Sequence, residues 1–465
     1  MSHPAMSESM KIISRGNGNR KMNYLKERQE TKENIIEKGK YAIKKESMFP
    51  FYLLLFYIFM EYGRPQALLP FLRILHLSGI TISFLALYVL LSGKVQFKDK
   101  QTILYLFLLG QMVIHGPIAV NNYWALMVFL GMMMNFVAFL SLIHFVDSQE
   151  KYEKLLRIWL GIHAFLSVVG IVNQGKGIGG FLGDENDLCM TLNMVIPFSF
   201  FLALDQKGGK RVFYLVLTCL FLFAIIITQS RGGFIGLIAT GMYCWIRTKR
   251  KFVTASILVI LAVFAVIMAP PKYWDEVHSI TEQGASKGTG EARVYTWKIG
   301  WEIFLSNPII GVGQGNFPWV FGEYEREITG SDEPFHGRSV AGRMAHSIYF
   351  TMLPELGLVG TFTILAMIFY CLKDLNFVKK RLIPVNINKA KSNLDTGIAS
   401  AKLYHIALAL EGSLVSYLVS SSFISTLYYP NIWIMMGFIM SLKKIVINKE
   451  LHTGVMVNMY NKRHA

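Results

Sequence analysis

Three basic side chains stand out in an apolar sequence: Arg231 in Ser230-Arg231-Gly232-Gly233, Arg293 at the head of a stretch of tryptophans, and His346 in Ala345-His346-Ser347-Ile348-Tyr349. An arginine at the meeting of two apolar blocks is costly, about 2.5 to 3.5 kcal/mol at helix centre, unless it is paired or wetted. Guanidinium forks are matched to phosphate and carboxylate oxygens. Imidazole is the side chain best suited to general base work near neutral pH. Each residue also has an ordinary reading: Arg231 could snorkel to lipid headgroups, and His346 could cap a helix or bond a headgroup.

Other residues fall near these in the sequence order. Gly311-Val312-Gly313-Gln314-Gly315-Asn316-Phe317 follows Pro308 and could cradle phosphate through backbone amides, or serve as a plain turn. The glycines beside Arg231 would let a ligand approach the backbone. Arg338 and Arg343 precede His346, and Glu355 follows it by nine residues, about 13 Å along a helix, which makes it a pairing partner rather than a joint catalyst. Arg64-Pro65 and Asp184-Glu185-Asn186-Asp187 are further candidates; the acidic group could bind a cation, orient a sugar, or be a solvated loop. Glu323, Glu325, Glu327, Asp332 and Glu333 lack the spacing of a calcium loop, and Cys189, Cys219, Cys244 and Cys371 each lie inside apolar blocks, so no metal site or disulfide framework is expected.

The elements that must position these groups are membrane helices. Of the 465 residues 53% are hydrophobic and 17% charged, and the apolar residues fall in blocks long enough to cross a hydrocarbon core of about 30 Å. The expected fold is all-α and polytopic, with about twelve transmembrane helices near 48–62, 70–92, 101–118, 122–145, 155–173, 187–204, 211–228, 232–247, 251–269, 346–372, 402–424 and 428–447. Residues 1–47 read as a basic cytoplasmic tail, 48–447 as the membrane domain and 448–465 as a second cytoplasmic tail. Basic groups such as Lys94/Lys98/Lys100, Arg247/Lys249/Arg250/Lys251 and Lys379/Lys380/Arg381 alternate with the helices as the positive-inside rule requires, which accounts for the net charge of +17 without nucleic acid. One long outer loop, 270–345, remains. In it Val294, Trp297, Trp301, Phe304 and Leu305 recur at helical spacing, as in an amphipathic helix on the membrane surface.

In order and spacing, Ser230-Arg231-Gly232, Arg293 with Pro308 and Gly311-Val312-Gly313, and His346 with Glu355-Leu356-Gly357 resemble the O-antigen ligase-like membrane glycosyltransferases. Tyr62-Gly63-Arg64-Pro65-Gln66 is similar to the opening of a branch described as putative O-glycosylation ligases, whereas Ser347 replaces the asparagine that often follows the family's histidine. The resemblance implies a glycan donor on undecaprenyl pyrophosphate, and an acceptor hydroxyl on lipid A core, another sugar or protein. It implies an active site facing the periplasm of a bacterial inner membrane, and no cofactor. It casts His346, Arg231 and Arg293 as catalytic, with Arg64, Arg338, Arg343, Asp184, Asn186, Ser230 and Glu355 binding substrate. A polymerase of the same family shares this donor chemistry. A flippase for lipid-linked sugars would carry charges near the midplane and an internal repeat, and a scaffold would leave Arg231 and the long loop without a role.

Overall fold

The computed structural model describes residues 47–92, 99–248, 251–252, 255–256, 259, 263, 289–330, 335, 342–382 and 394–464. The described residues from Pro50 onward belong to one compact unit. Among the described residues the chain is helical and has no strand. The principal helices are α1 (Phe49–Ile58), α2 (Leu77–Leu91), α3 (Lys100–Ile118), α4 (Asn122–Phe145), α5 (Gln149–Val172), α6 (Glu185–Asp205) and α7 (Gly208–Thr228). They are followed by α8 (Arg231–Arg247), α9 (Thr289–Ser306), α10 (Phe317–Thr329), α11 (Tyr349–Leu382), α12 (Leu394–Ser420) and α13 (Pro430–His464).

Nine helices among the described residues are long and apolar enough to cross a membrane: Pro70–Leu91, α3 to α7, α11, Ala401–Phe423 and Pro430–Lys449. Phe49–Gly63 is apolar but shorter, and α8 has 17 residues. The expected helix at 251–269 lies largely outside the described residues, so nine is the count among the described residues alone. The chain is a multi-pass membrane protein. Its helices show large apolar side chains such as Phe84, Phe107, Phe213 and Phe369 on their outer faces, as lipid-facing positions require, because hydrocarbon satisfies apolar side chains but not backbone polar groups.

Helix α6 is the central post: it is almost wholly buried and packs against α5, α7, α8 and α12. The glycines after Arg231 serve this packing. A Cβ on Gly232 would meet Phe423, one on Gly233 would lie 2.1 Å from Cys189 Sγ, and one on Gly236 would lie 1.9 Å from Ser420 Oγ. The small residues therefore admit neighbouring helices, correcting the expectation that they admit a ligand. Asn193 Nδ2 on α6 donates to the Gly233 carbonyl at 2.7 Å across the same contact.

Helix α11 is broken at Gly357 (φ 60°, ψ −164°), three residues after Pro354. The groups freed by this break pair with the turn at 308–313: Val312 N donates to Pro354 O, Gly313 N to Glu355 O, Leu358 N to Pro308 O and Val359 N to Ile309 O, at 2.8 to 3.1 Å. The Glu355 carboxylate accepts from Gly315 N at 2.7 Å, Phe317 N at 3.0 Å and the Tyr428 hydroxyl at 2.6 Å. Gln314 is anchored between the Met112 and Ala125 carbonyls and His115. The amides expected to cradle phosphate are thus engaged inside the protein, and the glycine-rich turn is a structural clasp between α3, α4 and α11.

At the end of the bundle remote from that turn, Glu411 on α12 gathers Lys379 Nζ at 2.7 Å, Arg247 Nη2 at 2.9 Å and the Tyr243 hydroxyl at 2.6 Å. Removing one partner of a buried charge cluster leaves the others uncompensated, a cost of about 3 to 5 kcal/mol. Glu411→Ala is therefore expected to lower the unfolding midpoint of the detergent-solubilised protein markedly, with Glu411→Gln intermediate; an unchanged melting curve would contradict this role.

Candidate active site

The loop after α10 and the start of α11 carry His346, which precedes the helix instead of opening it. Its backbone is left-handed (φ 48°). Three of the five positive-φ non-glycine residues among those described are site residues or abut one: Arg64, Gln229 and His346. Such conformations cost of order 1 to 3 kcal/mol and persist only where surroundings impose them. For His346 the surroundings are visible. Trp297 Nε1 donates to Ala345 O at 2.9 Å, the Trp297 ring stacks on Phe350 with centroids 5.2 Å apart, and Ile348 N donates to Ser421 O. Trp297 lies one helical turn beyond Arg293, so the helix that holds the histidine loop also carries the arginine on the same side.

Helix α9 divides its apolar residues between two faces. Ile299, Ile303, Phe304 and Trp297 turn inward, the first two against Phe317, Val320 and Phe321 of α10, while Val294, Trp301 and Leu305 remain exposed. The helix expected here exists, but Trp297 and Phe304 belong to its packed face. Helix α10 went unpredicted. Of the acids there, Glu325 is buried and accepts from the Tyr295 hydroxyl at 2.9 Å, which makes it a packing group.

Arg231 is positioned by a chain of caps. Ser230 caps α8 by accepting from Gly233 N at 3.0 Å and donates to Asn186 Oδ1 at 2.6 Å. Asp184 caps α6, accepting from Asn186 N at 2.8 Å and Asn186 Nδ2 at 2.7 Å. Such caps satisfy orphan amides at helix starts, and here two helix N-termini are tied together at the arginine.

The result is one electrostatic cluster. Burial first, and then the neighbouring Arg231, lower the Arg293 guanidinium from its ordinary value, while Asp184 acts in the opposite direction. Burial, then Arg293 and Arg343, push the His346 imidazole below 6.5 against the raising influence of Asp184. The His346 side chain is nonetheless solvent-accessible, so protein and cations crowd it without sealing it. Like charges held within each other's field favour an anion between them, and a neutral imidazole beside them can take a proton.

The candidate residues are thus sorted by place. Arg231, Arg293, Arg343, His346, Asp184, Asn186 and Ser230 are brought together. Arg64 stands behind the same loop: its guanidinium fills the space a Cβ on Gly180 would take and lies 5.8 Å from the Phe181 ring. Glu355 is not at the cleft but in the clasp described above, its expected substrate contact replaced by two amides and a tyrosine hydroxyl. Arg338 lies outside the described residues. Asp187, part of the acidic group the sequence offers as a candidate, and Tyr429, which the sequence does not mark, also border the cluster, since Asp187 and Asp184 both act on the Tyr429 phenol.

Fold and site together define a multi-pass membrane protein with a cationic, imidazole-bearing cluster beside the N-termini of α6 and α8. Residues 215–365 match the family described as Wzy_C: O-Antigen ligase, so the O-antigen ligase-like resemblance is supported over the part of the chain that carries Arg231, Arg293, Arg343 and His346. No curated protein matches the chain.

Proposed function

We propose that the protein is a membrane glycosyltransferase that moves a glycan from an undecaprenyl-pyrophosphate carrier to a hydroxyl acceptor, on lipid A core, sugar or protein, at the periplasmic face of the inner membrane. The observation that carries this reading is the juxtaposition of Arg231 and Arg293 with His346, whose imidazole is pushed down by burial and then by Arg293. Transfer breaks the anomeric C–O bond to pyrophosphate, and the leaving oxygen keeps the electron pair. The two guanidiniums, with Arg343 beside His346, would hold that developing charge in fixed positions, where preorganised donors act most strongly. His346 would take the acceptor hydroxyl's proton as its oxygen bonds to the anomeric carbon. In this reading Asp184, Asn186 and Ser230 are positioning residues, the cap chain that holds Arg231. The exposed Val294, Trp301 and Leu305 would seat α9 at the bilayer surface, where a lipid-linked donor arrives.

Purified protein in nanodiscs, given defined undecaprenyl-pyrophosphate glycan and a panel of acceptors, tests the reading. Product on lipid A core or peptide would make it a ligase and a lengthened donor a polymerase. No product with any acceptor, together with donor movement between leaflets, would reject transfer.

The histidine has its own signature. Burial and the neighbouring arginines push the His346 imidazole down, which favours the free base at neutral pH, so rate should fall as pH drops below neutrality and not as it rises above it. His346→Gln should lose about 10²- to 10⁴-fold and abolish that acid limb. An identical pH profile in the variant would remove His346 from the proton path.

A further inference from the structure

Asp187, in the first turn of α6, is only 5% exposed, yet its Oδ1 atom has no hydrogen-bond partner. Its neighbour Asp184, by contrast, is engaged, capping the helix by accepting from Asn186. A buried carboxyl oxygen without a hydrogen-bond partner is costly, so one retained beside the cationic cluster is open to a partner from outside the chain. Its surroundings indicate which kind. Asp187 and Asp184, one helical turn apart, share a face of α6, and Asp184 acts electrostatically on Arg293 and His346. Tyr429 lies within the field of both acids, and its ring packs against Phe181 at 5.7 Å. Among the described residues no group of three or more His, Cys, Asp or Glu side chains could hold a metal ion. An acceptor-only carboxylate beside aromatic rings suits a ring-shaped ligand rich in hydroxyl donors.

We infer that Asp187, with Tyr429 and Phe181, forms a carbohydrate subsite next to the arginine cluster, in which the Asp187 carboxylate accepts a hydrogen bond from a sugar hydroxyl or acetamido N–H. The subsite rests on the glycosyltransferase reading and adds to it the group that reads the sugar instead of the pyrophosphate. The sugar can belong to the donor or to the acceptor.

Binding by the full-length protein in nanodiscs separates these cases. The ligands are undecaprenyl pyrophosphate, the same lipid bearing its glycan, and the acceptor glycan, each measured with wild type and Asp187→Asn. Asp187→Asn should weaken either the glycan-bearing donor or the acceptor by about tenfold or more, identifying the source, and leave undecaprenyl pyrophosphate unchanged. Its melting temperature should be unchanged or raised, because an uncompensated buried charge is removed; a structural role would lower it. Unchanged affinity for both glycans, or a lowered melting temperature with all three ligands weakened equally, would overturn the subsite. If wild type binds the lipid pyrophosphate equally well with and without its glycan and also ignores the acceptor, the subsite alone fails. If wild type binds none of the three, the glycosyltransferase reading fails with it.

Discussion

Arg231→Ala and Arg293→Ala are each expected to reduce glycan transfer by about 10²- to 10³-fold, the usual loss when one preorganised donor to a developing oxyanion is removed, while the protein still inserts and folds. Folding should survive because neither guanidinium caps a helix: the α8 cap is the Ser230 hydroxyl. Transfer should fall because the charge released on pyrophosphate would then lack one of the two arginines that face each other across the site. Arg293→Lys should restore only part of the activity, since an ammonium keeps the charge but not the two-pronged geometry. Rates in detergent or nanodiscs, alongside melting temperatures, check this. Full activity in either alanine variant would remove the pyrophosphate assignment.

Gly311→Ala should be strongly destabilising, at about 3 kcal/mol or more. Gly311 has φ 78°, and an added Cβ would lie 2.5 Å from both the carbonyl carbon and oxygen of Glu355, which are backbone atoms with no side-chain freedom to yield. The facing residue is equally restricted, since a Cβ on Gly357 would lie 2.5 Å from the Ile309 carbonyl. Gly330→Ala is the internal control: φ is 69° but no atom lies within 4 Å of the added carbon, so only the backbone strain of about 1 kcal/mol remains. Melting temperatures of the two variants should separate clearly, and equal shifts would mean that the close backbone crossing at Gly311 contributes nothing.

These two predictions draw on very different amounts of sequence information. Arg231, Arg293 and His346 were legible because charge in an apolar sequence is costly and must be accounted for, and the helices were legible because apolar blocks of about 20 residues have one stable use in hydrocarbon. The crossing of Gly311 with Gly357 was not, since 46 positions separate the glycines and nothing local links them. The turn looked like a phosphate cradle because glycine-rich sequence is compatible with either use, and only the partners at Pro354, Glu355 and Gln314 decide between them. Helix α10 did carry a signal: Phe317, Val320, Phe321 and Tyr324 have helical spacing, but Glu323, Glu325 and Glu327 obscured it. Asp187 was hidden among three polar neighbours, and its distinction from Asp184 is one of burial and hydrogen bonding, which sequence does not display.

The central claim is that the cleft cleaves a glycan from its pyrophosphate carrier and passes it to a hydroxyl. The most direct test is mass-spectrometric quantification of free undecaprenyl pyrophosphate and of coupled glycan in one reaction with purified wild-type protein. The account predicts that the two form in equal amounts, and that neither forms with the Arg231→Ala, Arg293→Ala double variant. Donor that crosses the bilayer intact, with no free undecaprenyl pyrophosphate formed, would contradict it.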